Sequence, residues 1–244
     1  MNNLIDYTLH LADNALILGQ RNAEWCGHGP ILEQDIAITN ISLDLIGQAR
    51  SFYQYAATLK ADGSTEDSLA YLRTEREYKN CLLAEQPNGD WAQTILRQFF
   101  ISNYQHLLYQ HLLDNSDKTI AAIAEKSLKE VSYHLRWSSE WVIRLGDGTE
   151  ESHSRMLTAI EELWRYTGEL FEPALYEKES GADVSSLKHS WMEKTKTVFE
   201  EATLPIPEQV FMQTGGKTGT HTEHLGYILT ELQYLQRAYP GAEW

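Results

Sequence analysis

The chain has 244 residues and a formal net charge of −15, and it is rich in aromatic side chains, with 7 Trp and 13 Tyr. That negative charge disfavours nucleic acid, whose phosphates would be repelled. No apolar run reaches the roughly 18 residues that a membrane span needs, and the first residues lack the pattern of a signal peptide. Two cysteines, Cys26 and Cys81, are too few for a disulfide framework. These features predict a protein of the reducing cytoplasm.

Helical patterns separated by Pro, Gly and Asp predict an almost entirely helical chain. A first helix is expected over 4–21. Pro30 suits the first turn of a second helix, which would end near Lys60, because proline lacks the N–H that is unpaired there. Ser64 and Asp67 resemble a capping box for a third helix. That helix would end at 87, and others are predicted over 91–113, 118–145, from 149 to an interruption near 173, after 181 to 204, and over 220–238.

Long helices with short connections predict an antiparallel bundle. The helix over 91–113 carries large apolar groups on most sides, which indicates a buried position or a second buried face at an interface. Residues 215–219 are expected to form a flexible loop. The predicted fold is therefore an all-α, ferritin-like antiparallel helical bundle with additional C-terminal helices, forming a single domain over 1–244.

The third and fifth predicted helices contain residues that suggest a dinuclear metal site. In a four-helix bundle with a dinuclear metal site, two helices each provide one Glu ligand and the other two each provide a Glu-x-x-His pair. Residues three apart lie on the same side of a helix, so both ligands of the pair reach the metal ions. Glu75 lies on an apolar stripe and is expected to point inward, but Tyr78 stands where the His should be. Glu130 and His134 are four apart, and only His134 lies on the apolar stripe of its helix.

The remaining ligands of such a site are missing or altered. Asp44 and Gln48 occupy the region of the second helix where a single Glu is expected, and the helix over 91–113 has neither Glu nor Asp. Neither the third nor the fifth predicted helix contains a complete Glu-x-x-His motif. The six residues Asp44, Gln48, Glu75, Tyr78, Glu130 and His134 are therefore candidates for a degenerate site, in which buried polar groups satisfy one another. An unusual metal site that contains tyrosine is the alternative.

A histidine-rich segment follows the glycine-rich loop near the C-terminus. Lys217 precedes the last helix and could bind an anion such as phosphate. A P-loop is excluded, because Phe211 replaces its first glycine and no strand precedes it. His221 and His224 do not have the His-Glu-x-x-His spacing and are expected to cap a buried helix or contact a partner. Cys26 is expected to be an ordinary loop thiol.

Several long segments together resemble one family. They are QRNAEWCGHGP at 20–30, NISLDLIGQAR at 40–50, EQPNGD at 85–90 and TGGKTGTHTEHLG at 214–226, together with YLQR at 234–237 and the terminal Trp. Over essentially its whole length the chain resembles the structural C subunits of the bacterial ring-1,2-phenylacetyl-CoA epoxidases, the multicomponent monooxygenases of phenylacetate degradation.

This resemblance implies a ferritin-like fold and a complex with a homologous catalytic A subunit and other components. It also implies that the di-iron site lies in the A subunit, so that this chain is expected to have no cofactor and no catalytic residue. The net charge and the lack of a long apolar run argue against nucleic acid and membrane as partners. A homodimer of the free chain is left open. Two other hypotheses are an oxidase with a Tyr-containing dinuclear site and a module whose Lys217 grips the nucleotide end of CoA.

Overall fold

The computed structural model describes residues 2–242, and all regular structure in that range is helical. The α-helices are α1 (Asn2–Ala23), α2 (Leu32–Lys60), α3 (Glu66–Tyr71), α4 (Leu82–Glu85), α5 (Trp91–Leu112), α6 (Lys118–Gly146), α7 (Glu150–Leu163), α8 (Leu175–Glu179), α9 (Lys188–Glu201), α10 (Glu223–Leu232) and α11 (Tyr234–Ala238). Short 3₁₀ helices lie at Glu75–Glu77, Trp164–Tyr166, Gly168–Phe171, Val184–Leu187 and Gly216–Thr218. The all-α class predicted from the sequence is confirmed.

The chain forms two compact units. Unit 1 contains the residues up to Pro87 and those from Gly215 onward, and unit 2 contains Asn88–Thr214. The chain therefore leaves unit 1, builds all of unit 2 and returns to complete unit 1. Whether the whole chain folds as one domain stays a prediction.

Unit 1 is built on α1 and α2, which a short loop makes antiparallel neighbours. Gly19 lets the two helices approach closely, since a Cβ there would lie 3.2 Å from the Cβ of Leu45. The Ser42 hydroxyl crosses the same contact and donates to the carbonyl of Gly19 at 2.7 Å. The buried side of α2 includes Ile38, Ile41 and Leu45.

Unit 2 is built on the antiparallel pair α5 and α6. Asp90 and Asp117 cap the first turns of these helices with side-chain oxygens. Most of α5 is buried, which confirms the buried position inferred from its apolar groups. An aromatic cluster packs between α5, the 3₁₀ turn at Trp164–Tyr166 and α9, and it contains Phe99, Phe100, Trp164, Trp191 and Phe199.

The two long pairs have matching lengths. α1 and α5 each have 22 residues, and α2 and α6 each have 29. A pair of such helix hairpins is consistent with the ferritin-like bundle expected from the sequence.

Three predicted helices differ in extent from the helices observed. The third is not continuous to Pro87, because α3 ends at Tyr71 and the chain is extended between the 3₁₀ turn and α4. The expected cap is also displaced, since Thr65 and Ser68 form the capping box of α3. The last helix begins at Glu223 and is divided at Gln233. α2 begins at Leu32, beyond the proline expected in its first turn.

The helices within residues 2–242 fall short of the combination of length and apolar character that crossing a membrane demands.

Candidate functional site

The six candidates for a degenerate metal site lie on both units. Asp44, Gln48, Glu75 and Tyr78 belong to unit 1, whereas Glu130 and His134 belong to unit 2. Gln48 is buried on α2 and Asp44 is half-buried beside it.

Glu75 does not point inward. The helix on which that prediction depended ends earlier, so Glu75 lies in an exposed 3₁₀ turn and faces solvent. Tyr78 is fully buried, as predicted. Its hydroxyl donates to the carbonyl of Ala70, and the Arg73 guanidinium lies 4.2 Å from the centre of its ring. Burial raises the pKa of Tyr78, although Arg73 opposes this shift. The phenol is therefore held in its neutral form, which is a poor iron ligand.

In unit 2, His134 is buried on α6 and Glu130 is half-buried one turn earlier, as the sequence pattern predicts. The pKa of Tyr109 on α5 is raised by burial and by the charge of Glu130. α5 buries a cation, Arg97, whose guanidinium donates to the side-chain oxygen of Asn88. Within residues 2–242, His, Cys, Asp and Glu side chains nowhere gather in a group of three that could hold a metal ion. The residues present do not fit a dinuclear iron site.

A buried polar network in unit 1 surrounds Asp13 of α1. Both carboxylate oxygens of Asp13 accept hydrogen bonds from the guanidinium of Arg73, and the side chains are 0% and 9% exposed. The Tyr53 hydroxyl donates to the same carboxylate at 2.6 Å, and the backbone N–H of Lys79 donates at 2.8 Å. A buried charge is tolerated only when it is paired and hydrogen-bonded in this way.

The network also fixes the protonation of its members. Burial and the neighbouring charge of Asp13 raise the pKa of Tyr53 well above its ordinary value, against the opposing effect of Arg73. Burial alone would lower the pKa of Arg73, but Asp13 together with Tyr53 and Tyr78 outweighs this effect and the pKa is raised. Arg73 is therefore cationic and Tyr53 neutral near neutral pH.

α1 replaces the helical hydrogen bonds that are missing in the extended segment before α4. His10 donates from its ring to the carbonyl of Lys79 at 2.7 Å, and Asn14 accepts from the N–H of Cys81 at 2.9 Å. With Asp13, these side chains lie on one face of α1 at helical spacing. The segment is extended because the buried face of α1 binds its backbone.

A second buried carboxylate, Glu85, holds the C-terminal part of unit 1. Thr222 donates to it from its backbone N–H at 2.7 Å and from its hydroxyl at 2.8 Å, and Asn80 donates at 2.8 Å. The ring of His221 lies 2.7 Å from the Glu85 oxygen that also accepts from Asn80, and 3.0 Å from the carbonyl of Tyr78. The His221 ring thus joins the buried carboxylate of Glu85 to the backbone of Tyr78.

The glycine-rich loop before His221 is closely packed, not flexible. A Cβ at Gly216 would lie 2.3 Å from the carbonyl oxygen of Asn80, and one at Gly219 would lie 2.3 Å from that of Arg76. Gly219 also has φ of +83°, which L residues rarely adopt. The glycines permit contact between two backbones and do not cradle a phosphate. Lys217 is buried beside them, whereas His224 is half-buried. The predicted partner or anion contacts of Lys217, His221 and His224 stay predictions.

A surface groove of about 470 Å³ lies between α10, α11 and the 3₁₀ turn at 75–77. Arg73 and Gln233 line it, and the Gln233 amide donates to the carbonyl of Arg73 at 3.0 Å. The groove therefore opens over the outer side of the Asp13 network.

Sequence reasoning missed Asp13, Arg73 and Glu85. A signal for Asp13 was present, because it recurs at helical spacing with Tyr7, His10 and Ile17 on the buried side of α1. A charged residue in an apolar stripe indicates a buried partner. Arg73 and Glu85 carry no such signal, since no long helix contains them.

Comparison with known proteins gives two findings. The family described as "Phenylacetic acid catabolic protein" matches residues 1–244. The chain is also 49% identical over 249 residues to the C subunit of the 1,2-phenylacetyl-CoA epoxidase of Escherichia coli (strain K12), with 100% of each chain covered. The resemblance drawn from the sequence motifs is confirmed.

We expect Asp13→Asn to lower the free energy of unfolding by about 3–5 kcal/mol, because it leaves the buried guanidinium of Arg73 without its counter-ion. Adding Arg73→Met should recover much of that loss, since neither charge is then buried alone. Urea unfolding followed by circular dichroism measures both variants. A double variant less stable than Asp13→Asn would show that the charges are not coupled.

We expect Glu85→Gln to loosen the segment from Gly215 onward and to lower stability by about 2–3 kcal/mol, because an amide cannot accept all the hydrogen bonds of the carboxylate. Hydrogen exchange and limited proteolysis should show increased access around Thr222. Glu223→Gln, an exposed substitution at the start of α10, is the control. Unchanged protection in Glu85→Gln would contradict the assigned role.

We expect stability to fall at alkaline pH. The phenol of Tyr53 has a raised pKa in the folded state. Its contribution to the free energy of unfolding is therefore complete below the pKa of tyrosine in the unfolded chain, near 10, and is lost as the pH rises through the higher pKa of the folded state. Each such tyrosine lowers the free energy of unfolding by up to about 1.4 kcal/mol per pH unit. Tyr53→Phe should make the decline between pH 9 and 12 shallower, as urea titrations would measure, whereas the exposed Tyr234→Phe should not.

Proposed function

Because the chain belongs to the phenylacetic acid catabolic protein family, we propose that it is the non-catalytic structural subunit of a phenylacetyl-CoA epoxidase. The observation that carries this proposal is 49% identity, over the full length of both chains, to a protein named as the C subunit of that enzyme. The proposed complex is a cytoplasmic multicomponent monooxygenase, and its homologous catalytic subunit holds the di-iron site.

The donor chemistry of this chain supports the assignment of oxygen chemistry to a partner. Glu75 faces solvent, and Tyr78 is a neutral phenol engaged with a backbone carbonyl. Gln48 is an amide where a carboxylate ligand would be needed, and α5 buries the cation Arg97. We therefore propose that this chain carries no cofactor.

Rigidity supports a structural role. The charges of Asp13 and Glu85 are buried, and each is surrounded by donors from segments far apart in sequence. Such networks hold a unit in one arrangement, so that its surface is already in shape when a partner binds. A catalytic subunit whose metal-bearing helices pack on that surface would keep its ligands aligned.

The other two hypotheses have weaker support. A tyrosinate–iron site would require Tyr78 to ionise, which burial opposes. A grip by Lys217 on the nucleotide end of CoA would require a side chain that reaches solvent, and Lys217 is only 4% exposed.

Two measurements test the proposed function. After anaerobic loading with Fe(II) and desalting, the purified chain should retain essentially no iron. The catalytic subunit expressed alone should be inactive or poorly soluble, and adding this chain should restore epoxidation of phenylacetyl-CoA. Retention of about two irons per chain, or full turnover by the catalytic subunit alone, would contradict the proposal.

A further inference from the structure

Helix α2 has apolar side chains on two opposite faces. One face packs on α1 within unit 1. The outer face carries Leu32, Ile36, Leu43 and Ile46, which are 71%, 51%, 61% and 39% exposed. Thr39 lies between Ile36 and Leu43, so the five positions follow one another at intervals of four, three, four and three residues. This is the pattern of a helix that packs against another helix. The contacts within the chain leave this stripe facing solvent.

Gly47 adds an independent observation on the same face. A glycine inside a helix lowers its stability relative to alanine, because it gains nothing from a side chain and loses more backbone freedom. A Cβ at Gly47 would meet no atom of this chain within 4 Å. Gly19 of α1 differs, since its missing side chain makes room for α2. The missing side chain of Gly47 therefore makes room for something outside the chain, as small residues do where two helices cross closely.

A cavity of about 220 Å³ adjoins the C-terminal end of the stripe. Ile46, Ala49, Tyr53 and Tyr71 are among its lining residues, and Arg50 and Glu66 also line it. The Arg50 and Glu66 side chains form an ion pair at 3.6 Å. An apolar cavity with a polar rim, next to an exposed apolar stripe, suits an anchoring side chain of a protein partner.

The charges around the stripe indicate what kind of partner fits. Glu33 and Asp44 flank it on one side and Asp35 on the other, whereas the cation at its C-terminal end, Arg50, is paired with Glu66. The whole chain carries −15, so a second copy would bring like charge to this surface. A helix with an apolar face flanked by Lys or Arg is complementary.

We propose that the outer face of α2 binds an α-helix of the catalytic subunit. This inference rests on the proposed function and adds the surface and the chemistry of the contact. The partner helix crosses α2 closest at Gly47, packs on Leu43 and Ile46, places an apolar side chain in the adjoining cavity and directs basic residues toward the acidic flanks.

The test measures binding of the purified catalytic subunit to the full-length chain and its variants. Leu43→Gln and Gly47→Ala should each weaken binding roughly tenfold, by removing an apolar contact and by filling the crossing point. In the free chain, Gly47→Ala should raise the melting temperature by about 2–4 °C, because alanine favours the helix. A gain in stability together with a loss of affinity distinguishes an interface from a folding defect.

Leu175→Gln is the matched control, since Leu175 is 66% exposed on a helix of unit 2. It should bind as the wild type does. Equal binding by the wild type, Leu43→Gln and Gly47→Ala would overturn this inference and leave the proposed function standing. Failure of the wild type to bind would overturn both. If the α2 variants only convert a homodimer of this chain into monomers, a second copy occupies the face and the inference is wrong.

Discussion

A carboxylate buried on α1 must be neutralised and hydrogen-bonded, and Asp13 obtains both from groups that lie far away in sequence. Arg73 supplies the charge, and Tyr53 and the backbone of Lys79 supply further donors. This requirement places the segment after α3 against α1 and prevents it from continuing as a helix. It also keeps Tyr78 beneath Arg73. The segment in which the sequence pattern suggested metal ligands is thus held by a buried charge network.

Glu85 extends the same logic to the end of the chain. Its hydrogen-bond partners are Asn80, His221 and Thr222, so that the segment after Gly215 is bound to an early segment through a buried carboxylate. Gly216 allows the two backbones to approach closely, and the hydrogen bonds to the Glu85 carboxylate determine which residues meet there. Buried polar groups of this kind add modestly to stability when satisfied, but they penalise every arrangement that leaves them unpaired.

The sequence was sufficient where one local pattern determined the outcome. The four long helices and the capping residues Asp90 and Asp117 follow from helical periodicity and punctuation. The same is true of the burial of His134. The third helix was predicted wrongly because the donors and acceptors that replace its hydrogen bonds are side chains of α1, 66 to 69 residues earlier. Local propensity contains no information about such partners. The exposed face of α2 was likewise overlooked, since helical periodicity does not show which of two apolar faces packs against the rest of the chain.

The return of the chain to unit 1 has a consequence for its synthesis. On the ribosome, α1 to α4 emerge first. Glu85 then lacks its hydrogen-bond partners His221 and Thr222 while residues 88–214 are synthesised. At ordinary elongation rates this delay is on the order of ten seconds. During it, the nascent first unit exposes an incomplete interior beside an already apolar outer helix. Chaperone capture or early pairing with another subunit would protect that intermediate, so assembly in the cell is expected to depend on the order in which segments appear.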